Sequence, residues 1–199
     1  MCPAHNGNGE ISAVGRITSV LEASRDDRDA ARPVMSDLRE ATRHSVNLGI
    51  LEGGNVVYVD ILAGPDSPRL PTLVGGRWPA HATAIGKAIL AFSDPGTVEA
   101  FIDAGLSRVS ERTITSPALL REELDRVRDS GLGYDYEESR PGLVCVASPV
   151  HGPGGAAAGA LSVSGWSATM KAERVGPAVR TAALTISRAL GARVVPAVP

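Results

Sequence analysis

Three observations predict an α+β fold, an antiparallel sheet with helices on its faces. Apolar segments with strand character flank a glycine turn, 46–51 before Glu52-Gly53-Gly54 and 55–62 after it, the pattern of a hairpin. Segments with helical period and clear start and stop residues lie between and around such strands. The composition, 43% hydrophobic and 21% charged over 199 residues, suits one soluble globular domain. With 4% aromatic residues and 22 glycines, its core is expected to consist of Val, Leu, Ile and Ala.

A helix is expected over 33–43, with Pro33 in its first turn and Val34, Leu38 and Ala41 on one face. The two hairpin strands follow, largely apolar runs in which Asn47 of the first and Tyr58 of the second make polar interruptions. After the proline-rich turn 64–68, a further strand is predicted over 69–74. The next helix begins near Thr83, carries Ile85, Ala88, Ile89 and Phe92 at helical spacing, and is expected to stop at Asp94-Pro95. Helices are then predicted over 97–104 and 117–130. The second has Ser116 at its cap, Pro117 at its first position, Leu120, Leu124 and Val127 as its stripe, and Gly131 as terminator. A last helix over 171–190 shows Val175, Val179, Ala182, Ile186 and Leu190, with Pro177 kinking it or moving its start.

The segment 131–165 is the most informative. Side chains alternate faces along a strand, so Ser162 and Ser164 point one way while Leu161 and Val163 point the other. The run 143–147 reads as a neighbouring strand joined through the turn 152–155, which brings Cys145 near the serine face. Asp135, just after Leu132-Gly133-Tyr134, adds a carboxylate. A thiol, two hydroxyls and a carboxylate are thus expected to converge on a small polar pocket.

At these residues the chain resembles the effector-binding domain of the IclR (isocitrate lyase regulator) family of bacterial transcription factors. The resemblance takes in 46–51, 56–60 and the run 74–88, and extends from about Ala30 to Leu190. It implies a GAF-like, or profilin-like, antiparallel sheet. It also implies that a small organic acid is bound, and not transformed, by the backbone amides of Ala84 and Ile85 and the side chains of Asp135, Cys145, Ser162 and Ser164. Leu70, Leu73, Trp78 and Leu143 would supply apolar walls. The same resemblance implies a homodimer or tetramer, and DNA contact only through a winged helix-turn-helix module. Too few residues precede the match to hold that module, and a net charge of −2 gives no obvious basic face. The expected organisation is a flexible N-terminus with an inter-domain linker remnant over 1–32, the effector domain over 33–192 and a tail over 193–199. Such a chain would act through a partner, for instance in mixed oligomers with a complete paralogue.

Other readings follow from the residues. Cys145 could pack as a small hydrophobe, contact ligand or sense redox state. Asp135 could cap a turn; Glu137 and Glu138 suit solvation or pairing with Arg140; His81 could bond the following turn or touch ligand. Gly86-Lys87 lacks the hydroxyl residue of a phosphate loop, since Ala88 follows. A Cys145, His81 and Asp135 triad has no nucleophile elbow, so no catalytic residue or enzyme activity is expected. Four histidines scattered at 5, 44, 81 and 151, with Cys2 and Cys145, give no metal-ligand spacing, and no cofactor is expected. Without a long apolar run or a signal-peptide pattern, a cytoplasmic location and no membrane partner are expected. The alternative functions are a thiol-based redox sensor or an assembly-only pseudo-regulator.

Overall fold

The computed structural model describes residues 29–68, 73–153 and 155–191. Its first helix, α1, is already formed at residue 29 and runs to 42, so Pro33 lies inside the helix rather than in its opening turn. The buried face is Ala31, Met35 and Leu38, an i, i+4, i+7 set, while Ala41 is exposed and Val34 only partly covered. The hairpin strands β1 (Ser45–Glu52) and β2 (Asn55–Leu62) are as expected. Of the strand predicted over 69–74, residues 69–72 lie outside the described residues, while Leu73 and Val74 are exposed in a turn rather than paired in a strand. The third strand, β3, is instead Arg77–Pro79, with Trp78 opposite Val56 of β2. Three residues ending in proline are too short for a period to be read, and an edge is where a strand proline is tolerated.

Helix α2 (Ala84–Leu90) is shorter than expected, because Asp94-Pro95 opens the next helix rather than closing this one. Asp94 Oδ1 accepts from the Gly96 and Thr97 amides at 2.8 and 3.2 Å, and Pro95 stands at the first position of α3 (Pro95–Asp103). Helix α4 (Pro117–Ser130) has the predicted bounds and buried Leu120, Leu124 and Val127; Gly131 ends it in the left-handed conformation, although the Ser116 hydroxyl makes no capping bond. Strands β4 (Gly133–Tyr136), β5 (Leu143–His151) and β6 (Ala157–Trp166) complete the sheet. The final helix, α5 (Ala172–Ala189), contains Pro177 without starting there; it buries Val179, Ala182, Ala183 and Ile186, leaving Val175 and Leu190 partly covered.

All pairings are antiparallel, in the order β3-β2-β1-β6-β5-β4, so the first long strand and the last are neighbours at the centre of the sheet. Alternation along the strands divides the core in two. Val46, Leu48, Val144, Val146, Leu161 and Val163 face α1 and α5. Leu143, Cys145, Ala147 and Ala160 face the opposite way, towards α2, α3 and α4. A bulge sets the side chains of β2: Leu48 pairs with Asp60 but Gly49 with Tyr58. Val56 and Tyr58 therefore lie on the α2 side, while Val59 and Leu62 pack with the α1 side, where Asp60 accepts from Arg32 at 3.2 Å.

Candidate functional site

The register places Asp135 opposite Cys145 and Cys145 opposite Ser164, a row across β4, β5 and β6. Ser162 follows two residues along β6 on the same face. Facing this row is the start of α2. Its position depends on two glycines: a Cβ on Gly86 would stand 2.1 Å from the carbonyl oxygen of Ala80, in the turn that precedes the helix, and one on Gly133 of the sheet would stand 2.8 Å from that of Ala84. Thr83 caps the helix by accepting from the Gly86 amide at 3.0 Å, leaving the Ala84 and Ile85 amides ahead of the first intrahelical bond.

Between sheet and helix lies a pocket of about 430 Å³, part of it open to solvent. Asp135, Cys145, Ser162, Ser164, Ala84, Ile85, Trp78 and Leu143 all line it, as the sequence led us to expect. Leu70 lies outside the described residues, and Leu73 is 79% exposed and does not line the pocket. Sequence reasoning missed Tyr58, Thr83, Ser139 and Arg140 as lining residues. Tyr58 had carried a signal, as a polar interruption in an apolar strand, and so had Asn47 just behind the serines.

Asp135 both lines the pocket and caps a turn. Its Oδ1 accepts from the amides of Glu138 and Ser139 at 2.8 and 3.2 Å, and its Oδ2 from the Ser139 hydroxyl at 2.5 Å. Burial pushes its pKa above the usual carboxylate value, against the opposing pull of Ser139 and the Lys87 charge. Burial also raises the Cys145 thiol well above its ordinary value, and the Asp135 charge adds to this, so a protonated thiol is the resting form. Tyr58 is raised chiefly by burial, with the Cys145 and Asp135 charges adding to it.

Beneath the pocket Lys87 is fully buried, its Nζ 2.6 Å from Glu138 and 3.6 Å from Glu123, so that α2 is tied to the turn after Asp135 and to α4. Of the two expectations for Glu137 and Glu138, solvation or pairing with Arg140, neither describes Glu138, and the pairing with Arg140 is made by neither. Glu138 meets Lys87, and Glu137 accepts from the Ser167 hydroxyl at 2.6 Å and lies 3.4 Å from Arg112. Arg140, at the pocket, forms no ion pair among the described residues. His81 is outside the pocket lining, its Nε2 2.8 Å from the Ser107 carbonyl oxygen, so the nucleophile, base and acid of a triad are not assembled. Among the described residues no group of three or more His, Cys, Asp or Glu could hold a metal ion, and no helix is long and apolar enough to cross a membrane.

The antiparallel six-stranded sheet, with helices on its faces and a pocket under the start of α2, defines a GAF-like effector-binding domain. The chain belongs to the IclR family: residues 21–188 match the family described as bacterial transcriptional regulator IclR C-terminal. It is 37% identical over 138 residues to the HTH-type transcriptional regulator BhcR of Paracoccus denitrificans, covering 69% of this chain and 50% of that relative. The chain thus spans half the length of that relative, and the relatives it matches are transcriptional regulators rather than enzymes. The crystal structure of the Thermotoga maritima IclR superposes with a TM-score of 0.81 at 28% identity, over 88% of this chain and 74% of that one. An IclR homologue of Microbacterium hydrocarbonoxydans complexed with 4-hydroxybenzoate gives a TM-score of 0.79 at 26% identity, over 84% of this chain and 69% of the other.

Proposed function

We propose that the pocket binds a small organic acid as effector, contacted by the Ala84 and Ile85 amides and by Asp135, Cys145, Ser162 and Ser164, with Trp78 and Leu143 as apolar walls and Leu70 as a further one. The observation that carries this is the convergence of Ala84 and Ile85 of α2 with Trp78, Asp135, Leu143, Cys145, Ser162 and Ser164, from four strands, on one pocket. The 4-hydroxybenzoate complex of a structural neighbour at 26% identity points to the same ligand class. Burial of Cys145 and its raised pKa weigh against the thiol redox sensor, since the thiolate is the reactive form.

The effector domain occupies 33–192 of a cytoplasmic regulator. Ligand held between α2 and β6 favours one arrangement of sheet and helices, and through it one homodimer or tetramer arrangement, by its differential affinity for the two states. DNA contact belongs to a winged helix-turn-helix module outside this domain, whether on the same polypeptide or on a paralogue in a mixed oligomer.

The test is thermal unfolding against a panel of aliphatic and aromatic acids. A ligand at about 100 times its Kd adds roughly 2.7 kcal/mol, a shift of several degrees for a domain of this size. The shift is expected to vanish in the Ser162→Ala/Ser164→Ala variant. A broad panel without any shift, or a shift that survives both substitutions, refutes the proposal.

A further inference from the structure

We infer that Asn47 sets the hydrogen-bonding polarity of the pocket floor, so that Ser162 and Ser164 offer hydroxyl protons to the ligand and the group seated on them is an acceptor, a carboxylate in the acid proposed above. The inference rests on that reading of the pocket.

Asn47 stands on β1 directly opposite Ser162, is 1% exposed, and does not itself line the pocket. Its Nδ2 donates to Ser162 Oγ at 3.1 Å and to Ser164 Oγ at 2.9 Å. An amide nitrogen carries two protons and accepts none, so each serine spends a lone pair on Asn47 and keeps its own proton to give. Ser162 donates to no described residue. Ser164 stands opposite Cys145 on β5, whose sulfur is a weak acceptor that a carboxylate outcompetes.

The opposite orientation of the amide is the costlier one. As placed, one buried atom, Oδ1, lacks a partner. Turned over, Oδ1 would accept from both serines, and an NH2 with two protons would be buried where one lone acceptor now stands. The pocket is then polarised along its row. Donors lie at the Ser162 and Ser164 end, and the Asp135 carboxylate lies beyond Cys145 at the other. An acid that also carries a hydroxyl is oriented with its carboxylate on β6 and its hydroxyl towards β4. Asn47 touches no ligand in this scheme and acts as a positioning residue.

The experiment has a ligand-free arm and a binding arm. In protein with 15N-labelled asparagine side chains, both Nδ2 protons of Asn47 are expected to exchange slowly with solvent. Ser162→Ala should release one of them and Ser164→Ala the other, a pattern that overall loosening of the fold does not produce. In the binding arm 4-hydroxybenzoate is compared with the neutral 4-hydroxybenzyl alcohol. Asn47→Asp keeps the shape but makes the serines donate to residue 47, and should weaken the acid by about tenfold or more without weakening the alcohol. Asn47→Leu, which adds no charge, should lower the acid-to-alcohol preference as well. If neither variant folds, the exchange pattern in the wild type and serine variants decides. Asn47 amide protons indifferent to both serines, or an unchanged acid preference in a folded variant, overturn the inference. Absence of any acid binding would instead refute the effector reading, with the exchange pattern still deciding the polarity.

Discussion

Replacing Lys87 with methionine is expected to be strongly destabilising although it leaves every lining residue of the pocket in place. The side chain is fully buried, and its ammonium lies 2.6 Å from Glu138 and 3.6 Å from Glu123. The two carboxylates do not lose equally. Glu123 keeps Arg126 at 2.9 Å, whereas Glu138 Oε1 would join Oε2, which already has no partner, as a buried group without a counter-charge. Breaking a buried pair in this way costs about 3–5 kcal/mol, which for a domain of this length corresponds to a fall of about 6–20 °C in Tm. The pH dependence has a definite sign. Burial raises the Glu138 pKa and Lys87 opposes the rise, so removing Lys87 raises it further. The variant's deficit should accordingly shrink as pH falls and Glu138 takes up a proton. Urea unfolding of Lys87→Met, Glu138→Gln and the double variant measures the coupling. The double variant should recover most of the loss. A Lys87→Met deficit below about 1 kcal/mol at neutral pH, the size of an exposed pair, or a double variant no better than the single, would refute the reasoning. Because the Glu138 amide also donates to Asp135, the same variant should weaken effector binding.

Three further outcomes are expected. Gly86→Ala should destabilise by about 3 kcal/mol or more, since the new Cβ would meet backbone oxygen rather than a side chain that can swing aside; a change in Tm of less than a few degrees would show that α2 does not depend on this approach. Asp135 has a folded pKa raised above its unfolded value, so its stabilising contribution is fully present below the unfolded pKa and is lost as pH rises through the folded one. Asp135→Asn should therefore gain on the wild type in thermal unfolding at pH 7, and the gain should close as pH falls towards the ordinary carboxylate range; a gain that grows in acid contradicts the assignment. Cys145 should react slowly with a thiol reagent at neutral pH in the folded protein and more slowly with effector bound; rapid labelling would revive the redox reading.

Local chemistry was legible wherever one segment contains both cause and effect. The bounds of α4 follow from a proline, an apolar stripe and a glycine within a short run of chain. The common face of Ser162 and Ser164 follows from the period of a strand. Misreadings came where one signal serves two purposes or none. Asp94-Pro95 can end a helix or begin one, and only the amides of Gly96 and Thr97 decide which. The bulge in β2 has no mark in sequence, yet it decides that Tyr58 lies at the pocket while Asp60 meets Arg32. The burial of Lys87 had no mark in sequence, where Gly86-Lys87 was weighed only against a phosphate loop, because a buried charge is justified only by partners distant in the chain.

By itself, then, the sequence determined the class of fold, the family, and the residue types that gather at the pocket, because periodicity, turn chemistry and motif spacing are properties of contiguous chain. Only the tertiary structure decided how those residues work together. The central pairing of β1 with β6 joins residues 115 positions apart and sets the Asn47 amide against the two serines. The approach of α2 to β4 and α4 buries an ammonium between two carboxylates. Hydrogen-bond direction and the balance of buried charge depend on which atoms face one another across strands and layers, and that juxtaposition is created when distant segments pack.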